Sequence, residues 1–213
     1  MRDTTPNIPL VLASASEARA ELLRSAGLRF SVIVSNCEEK APSFSDPVAD
    51  CLSKALMKAL DVSGHVERGV VIGADTIALL NSRVIGKPLD EQDARRTLRE
   101  LSNNPHQVVT GVAIVVVPDM IVLSGTESTS VFMRPMSDEE IDEYVRSGEA
   151  LGRAGSYAVQ RNGDKFVERM EGSFSNVVGL PMELLFSLLD ILIAKGIAVE
   201  GWPGGGGKEF SLG

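Results

Sequence analysis

The chain has 213 residues and a formal net charge of −8, with 44% hydrophobic and 23% charged residues, an ordinary composition for a soluble globular protein. The acidic balance argues against nucleic acid or an anionic membrane as a partner, because both call for a surplus of lysine and arginine. We find no signal peptide and no apolar stretch of membrane-spanning length, and we therefore expect a cytoplasmic protein.

The first predicted elements are a short apolar strand over residues 10–13 and a helix that begins at Glu17 and ends near Gly27. Between them lies a hydroxyl-rich turn that contains Ser14 and Ser16. Free backbone N–H groups, the helix dipole and the hydroxyl groups all favour an anion at such a turn. Arg19, in the first helical turn, would add a planar bidentate donor for phosphate. The simpler alternative is that Ser16 is only the helix N-cap.

A second strand is predicted over residues 30–34, and Asp46 is expected to cap a helix that runs to about residue 60. Lys54 and Lys58 lie one turn apart on that helix and share a face. Lysines in this arrangement usually face solvent. If this face looks toward the acidic stretch that follows, the lysines become phosphate ligands instead.

The central stretch, residues 70–88, combines a predicted strand with two charged residues. A β-branched run at residues 70–72 indicates a strand buried on both faces, and Asp75 follows after two small residues. A carboxylate at a strand end is typical of a ligand site at the mouth of a sheet. A hairpin with an Asn-Ser turn is predicted next, and Lys87 then lies on a Gly-Lys-Pro loop that could fold back toward Asp75. Such a pair is either catalytic or a structural ion pair.

The residues after the central stretch are predicted to form regular elements first and then an irregular segment. We expect a helix over residues 91–101, strands over residues 107–117 and 120–132, a short helix opened by a capping box at Ser137, and a last helix after Pro181. Residues 151–181 are rich in Gly, Ser and Asn, and we predict an irregular segment there. Long irregular segments in a compact domain tend to carry function.

The tail and the two cysteines carry no predicted chemistry. We predict a disordered tail after Gly201, in which Lys208 does not complete a phosphate loop, because no strand precedes the glycines and no Ser or Thr follows the lysine. Cys37 and Cys51 lack a Cys-x-x-Cys spacing and are interpreted as reduced cysteines. With only two histidines, a His-rich zinc site is not expected.

Six motifs resemble, in order and spacing, those of the Maf family of nucleotide pyrophosphatases. They are Leu-Ala-Ser-Ala-Ser at 12–16, Gly-Ala-Asp-Thr at 73–76, Gly-Lys-Pro at 86–88, Thr-Gly at 110–111, Ala-Gly-Ser-Tyr at 154–157 with Gln160, and Asn-Val-Val-Gly-Leu-Pro at 176–181. The resemblance covers residues 9–192. We accordingly predict a pyrophosphatase domain over residues 8–195 and a Gly-rich tail over residues 196–213.

The resemblance implies an α/β fold with a mixed sheet and two lobes around a central cleft, similar to the inosine triphosphate pyrophosphatases. It also implies hydrolysis of a nucleoside triphosphate to the monophosphate and pyrophosphate, with Mg²⁺ or Mn²⁺ as the divalent cation that activates the attacking water. A homodimer is the oligomeric state that the resemblance favours.

The resemblance further implies roles for individual residues. Asp75 would be the general base, or a metal-bound carboxylate that orients the attacking water, and Glu39 would be the second acid that a hard cation needs. Lys87 would neutralise the charge that develops on the pyrophosphate leaving group. The expected substrate-binding residues are Ser14, Ser16, Arg19 and Lys58 for the phosphates, and Thr76 and Gln160 for the base.

Two departures from the family pattern and one agreement with it bear on these roles. Glu17 and Ala18 replace a common Pro-Arg pair, so one cation for phosphate or base is missing. Gly152 stands where an acid is usual. His106 occupies a position where the family often has histidine, and we interpret it as a loop or structural residue.

Base preference is predicted from three positions of the family pattern. One branch has Arg, Thr and Gln there and prefers dTTP and UTP, whereas another has Trp, Gln and Glu and takes 7-methylguanosine triphosphate. This chain has Ala18, Thr76 and Gln160, so two positions match the first branch. The Gln160 amide offers a donor and an acceptor, which suits uracil or thymine. The gap at Ala18 predicts looser selectivity that extends to CTP.

Two other functions remain open at this point. One is a pyrophosphatase for non-standard purine triphosphates, which the motifs fit less well. The other is a non-catalytic, Maf-like regulator of cell division that acts through a partner. Ala18 and Gly152 favour the regulator, but the retained acids and cations argue against it, because a pure binding module has no need of Asp75, Lys58 and Lys87 together.

Overall fold

A computed structural model describes residues 7–37 and 46–205 of the chain. Within these residues the helices are α1 (Glu17–Ser25), α2 (Pro47–Ser63), α3 (Glu91–Leu101), α4 (Asp138–Arg146), α5 (Phe174–Val178) and α6 (Met182–Ala194). The strands are β1 (Leu10–Leu12), β2 (Phe30–Val32), β3 (Gly69–Leu80), β4 (Arg83–Ile85), β5 (Pro105–Val117), β6 (Ile121–Met133) and β7 (Val167–Glu171).

The strands form one seven-stranded mixed sheet with the order β2-β1-β3-β5-β6-β7, and β4 pairs with β3 outside this path. β1 is parallel to both β2 and β3, whereas β4 is antiparallel to β3 and β7 to β6. The predicted α/β class with a mixed sheet is therefore confirmed. The central cleft and the similarity to inosine triphosphate pyrophosphatases stay predictions.

The chain divides into two compact units. Of the described residues, unit 1 contains 7–37, 46–75, 110–127 and 179–205, and unit 2 contains 76–109 and 128–178. The strands β3, β5 and β6 contribute residues to both units.

In unit 1, α2 packs closely against β3 and β5. Two glycines make this approach possible: a Cβ atom at Gly73 would lie 2.8 Å from the backbone N of Ala59, and one at Gly111 would lie 2.8 Å from the Cα of Leu52. Side chains of both strands and of α2 form one buried apolar cluster around this contact. Because no larger residue fits at either glycine, α2 is held against the sheet along most of its length.

In unit 2, α3 and α4 share a buried apolar cluster with β3, β5 and β6. Tyr144 and Phe166 meet edge to face in this cluster, with ring centroids 5.2 Å apart. The predicted hairpin is confirmed as β3–β4, whose turn residues Asn81 and Ser82 have φ angles of 50° and 65°. The predicted capping box at Ser137 is also confirmed.

The structure corrects the prediction for the central strand. β3 does not stop at Asp75 but continues to Leu80, so Asp75 lies in the interior of the strand. The argument from a carboxylate at a strand end therefore does not apply. Local preference against Asp in a strand is overridden here by tertiary context, because the side chain finds a cationic partner on α2.

The segment predicted to be irregular also contains regular structure. Besides two short 3₁₀ turns, it holds β7 and α5. The residues of β7 are all exposed or half-buried and three of them are charged, which made this strand resemble a loop in the sequence.

The first part of the predicted tail is held in unit 1. Ile8 and Val199 form a parallel bridge, and the Trp202 indole stacks on Phe186 and donates a hydrogen bond of 2.9 Å to Asp190. Residues 206–213 of that tail lie outside the described residues. No helix in the described part of the chain combines the length and apolar character needed to cross a membrane.

Candidate active site

The turn between β1 and α1 is built by two serine hydroxyl groups. Ser16 is the N-cap of α1 and accepts a hydrogen bond of 3.4 Å from the backbone N–H of Arg19. Ser14 is buried, and its hydroxyl oxygen accepts a bond of 3.2 Å from the backbone N–H of Ser16. Ser16 is thus the N-cap of α1, its role toward phosphate stays a prediction, and the turn is fixed by its own side chains.

Arg19 forms hydrogen bonds both within this turn and to the backbone just before α6. Its Nη1 donates a hydrogen bond of 3.0 Å to the Ser14 hydroxyl, and its Nε donates one of 2.8 Å to the carbonyl oxygen of Gly179. The contact with Gly179 joins the helix that follows the first sequence motif to the last motif, across 160 positions of the chain. A guanidinium held at two points loses little further freedom when it binds an anion.

The predicted acid Asp75 is paired with Lys58. The ammonium of Lys58 lies 2.6 Å from Oδ1 of Asp75, and the two side chains are only 15% and 13% exposed. The close packing of α2 on β3 positions this contact. The face of α2 that carries Lys58 therefore looks toward Asp75, and the role of its lysines as phosphate ligands stays a prediction.

A second ion pair lies one turn closer to the N-terminus of α2. Lys54 lies 2.8 Å from Oδ2 of Asp50, and these side chains are 19% and 12% exposed. Asp50 was not singled out from the sequence, because an i,i+4 pair of opposite charges commonly lies on a solvated helix face.

Cys51 is a neighbour of the candidate acid that sequence reasoning missed. Its thiol is fully buried and donates a hydrogen bond of 3.2 Å to the backbone oxygen of Asp75. Burial raises the pKa of Cys51 to about 11; the negative charge of Asp75 adds to this, whereas Arg19 and Lys54 act in the opposite direction. Three of the charged groups thus act on one buried thiol. Both cysteines are free thiols, as predicted.

The remaining predicted site residues belong to unit 2 or lie outside the described residues. Thr76 follows Asp75 in β3 and is half-buried, Lys87 is exposed in the loop after β4, and Gln160 is exposed in the turns that follow the first 3₁₀ segment. Glu39 lies outside the described residues. The structure therefore brings Ser14, Ser16 and Arg19 together, and Lys58 with Asp75. The roles of all nine predicted site residues stay predictions.

His106 has the buried environment expected of a structural residue. It is 3% exposed, its Nε2 lies 2.8 Å from the Tyr157 hydroxyl, and the two rings meet edge to face. Burial lowers the pKa of His106 to about 4, so the ring is uncharged at neutral pH. Burial also raises the pKa of Tyr157. Gly152 has a φ angle of 75°, a conformation that favours glycine.

Comparison with known proteins gives a consistent result over most of the chain. A family model described as Maf-like protein matches residues 9–192. A protein of Ruminiclostridium cellulolyticum named dTTP/UTP pyrophosphatase is 40% identical over 187 residues, covering 87% of this chain and 97% of that protein.

Two further relatives carry the same name. One from Dictyoglomus thermophilum is 40% identical over 184 residues, covering 86% of this chain and 95% of that protein. One from Bacillus cereus is 42% identical over 176 residues, covering 83% of this chain and 91% of its own length.

Proposed function

The chain belongs to the family of Maf-like proteins, as its six motifs predicted, and we propose that it is a nucleoside triphosphate pyrophosphatase that hydrolyses dTTP and UTP. The products are the monophosphate and pyrophosphate. The observation that carries the proposal is the similarity to dTTP/UTP pyrophosphatases, which is 40–42% in identity and spans more than nine-tenths of each relative.

Asp75 is the proposed general base. Its carboxylate takes a proton from water as the water oxygen bonds to the α-phosphorus, and the bond between that phosphorus and the bridging oxygen to the β-phosphorus breaks. Pyrophosphate departs with the bridging oxygen. The contact between Lys58 and Oδ1 supports this role, because it helps to hold the carboxylate in place beside a positive charge.

Ser14, Ser16 and Arg19 are the proposed binding residues for the phosphates. Their mutual hydrogen bonds support the proposal, since a preorganised group of donors binds an anion at a low entropic cost. Lys58 adds a positive charge beside the base. Lys87 is proposed to neutralise charge on the departing pyrophosphate, which is a role exerted mainly in the transition state.

A divalent cation, Mg²⁺ or Mn²⁺, is proposed as the cofactor. The described residues contain no group of three or more His, Cys, Asp or Glu side chains that could hold a metal. Glu39, one of the two proposed ligands, lies outside the described residues. Mg²⁺ in a nucleotide site is usually held by one or two carboxylates together with substrate phosphates and water. Asp75 and Glu39 would hold the cation, which would neutralise phosphate charge and activate the attacking water.

Thr76 and Gln160 are the proposed base-reading residues. The Gln160 amide presents a donor and an acceptor to the alternating edge of uracil or thymine, and its exposed position leaves both groups accessible. Ala18 supplies no side-chain donor, so we propose that CTP is also hydrolysed, more slowly. A cytoplasmic location and a homodimer remain predictions.

A screen of pyrophosphate release tests the proposal. The substrates are dTTP, UTP, CTP, inosine triphosphate and 7-methylguanosine triphosphate, each assayed with Mg²⁺, with Mn²⁺, and with excess chelator. We expect the highest kcat/KM for dTTP and UTP, and no release with chelator. Fastest hydrolysis of inosine triphosphate or 7-methylguanosine triphosphate would instead indicate one of the other substrate classes. No release from any of the five would favour the non-catalytic regulator.

A further inference from the structure

The buried stripe of α2 carries one more cation than the proposed site uses. Cys51, Lys54 and Lys58 follow one another along the helix at spacings of three and four residues, so they lie on one face. The first and last of them both touch Asp75, through its backbone oxygen at 3.2 Å and its carboxylate at 2.6 Å. Lys54 lies between them on the same face, and its charge acts on the Cys51 thiol that touches Asp75.

We propose that Lys54 is a further substrate-binding residue whose ammonium contacts the phosphate chain of the nucleotide. The inference rests on the proposed function and names a residue that the family resemblance did not assign. It also supplies a positive charge in a site where Ala18 leaves one missing. A nucleoside triphosphate carries several negative charges, and each additional ammonium within hydrogen-bonding distance strengthens its binding.

Asp50 gives Lys54 a partner when no phosphate is present. The two side chains are 2.8 Å apart and mostly buried, so an unpaired ammonium at this place would be costly. Because an ammonium has three N–H donors, Lys54 can bind a phosphate oxygen while it keeps its contact with the Asp50 carboxylate. The electrostatic effect of Lys54 on the Cys51 thiol, which itself touches Asp75, agrees with this location.

A purely structural pair is the competing explanation. An i,i+4 pair of Asp and Lys stabilises a helix whatever it faces, and loss of either partner would then have the same consequence. The two explanations differ in symmetry: a structural pair treats Asp50 and Lys54 alike, whereas a phosphate ligand does not.

The test is a double-variant cycle with Lys54→Met, Asp50→Asn and both together. Binding of inorganic tripolyphosphate with Mg²⁺ is measured by isothermal titration calorimetry, which needs neither the base nor hydrolysis. We expect Lys54→Met to raise the Kd by about tenfold or more. Asp50→Asn should leave the Kd at or below the wild-type value, and the double variant should match Lys54→Met. In steady-state hydrolysis, Lys54→Met should raise KM more than it lowers kcat.

Lys195→Met is the matched control, because it removes the same charge from an exposed position at the end of α6. Its Kd should equal that of the wild type. Equal losses in Asp50→Asn and Lys54→Met, restored in the double variant, would overturn the inference in favour of a structural pair. A Kd for Lys54→Met within twofold of the wild type would overturn it as well.

The cycle also separates this inference from the proposed function. If tripolyphosphate binding depends on Lys54 but neither dTTP nor UTP is hydrolysed, the function fails and the phosphate site stands. If both nucleotides are hydrolysed and Lys54→Met binds tripolyphosphate normally, the inference fails and the function stands. The double variant keeps the test valid should Lys54→Met alone destabilise the fold, because it leaves no unpaired carboxylate.

Discussion

The two units differ in what they bury. Unit 1 holds charged side chains in largely buried contacts, as in the pairs of Lys58 with Asp75 and of Lys54 with Asp50. Unit 2 keeps its buried titratable pair, His106 and Tyr157, uncharged. Withdrawing charges from water costs free energy that packing alone does not return. We therefore expect the catalytic site for a polyanionic substrate to include the buried charges of unit 1.

The ion pairs of unit 2 sharpen the contrast, because they lie at the surface. Arg99 and Asp138 are 2.6 Å apart, yet their side chains are 52% and 68% exposed. Arg169 and Glu171 also form an exposed pair. Such contacts contribute on the order of 0–1 kcal/mol each and need no functional explanation. Burial, and not the number of ion pairs, distinguishes the candidate site.

The largest expected effect follows from removing the charge of Asp75. Asp75→Asn keeps the shape of the side chain but removes the proposed base and the partner of Lys58. We expect kcat for UTP to fall by roughly two to four orders of magnitude, with the fold retained in circular dichroism. Asp138→Asn makes the same chemical change in an exposed pair and should leave kcat unchanged. Wild-type turnover in Asp75→Asn would contradict the assignment of the catalytic base to unit 1.

The next effect concerns the uncharged histidine of unit 2. The pKa of His106 is lowered by burial to about 4, against about 6.5 in an unfolded chain. The unfolded state therefore binds the proton first as the pH falls. The contribution of uncharged His106 to the free energy of unfolding is fully present above pH 6.5. It is lost between about pH 6.5 and 4, by up to about 3 kcal/mol.

Urea unfolding at several pH values measures this loss. His106→Asn should flatten the decrease in the free energy of unfolding between pH 6.5 and 4, whereas His65→Asn, at an exposed position, should not. An unchanged pH dependence in His106→Asn would show that this histidine is not held uncharged by burial.

Smaller kinetic effects are expected from removing a cation, either one anchored in unit 1 or an exposed one in unit 2. Arg19→Ala removes a guanidinium fixed to Ser14 and Gly179, and should raise KM for UTP by about ten- to a hundredfold. Lys87→Ala should lower kcat more than it raises KM, because its charge is expected to act on the transition state. The reverse pattern in steady-state kinetics would mean that the two roles are exchanged.

The smallest expected effect is that of an exposed ion pair. Arg99→Ala removes one partner of the surface contact with Asp138 and should change the free energy of unfolding by no more than about 0.5–1 kcal/mol. Activity should remain at the wild-type level. A large loss of either quantity would weaken the distinction between buried and surface pairs on which the assignment of the site depends.

Sequence reasoning succeeded where the signal is local. The caps at Ser16, Asp46 and Ser137 were predicted, because a short polar side chain before an amphipathic run satisfies free N–H groups in nearly any context. The turn at residues 81–82 was also predicted from a local signal, because Asn tolerates the left-handed conformation.

It failed where distant residues determine the outcome. Asp75 lies inside β3 and not at its end, because Lys58 on a separate helix accommodates the carboxylate. The bond from Arg19 to Gly179 links positions that share no local pattern. The thiol of Cys51 is a similar case, since only the close packing allowed by Gly111 brings it near the acid. Such contacts depend on packing that periodicity does not encode.

The most direct test of the account is the identity of the products formed from UTP. Wild-type protein and Asp75→Asn, purified in the same way, are incubated with UTP and Mg²⁺, and the products are separated by anion-exchange chromatography. The account predicts UMP and pyrophosphate in equal amounts from the wild type and almost none from the variant. Formation of UDP and orthophosphate, or equal hydrolysis by both preparations, would contradict it.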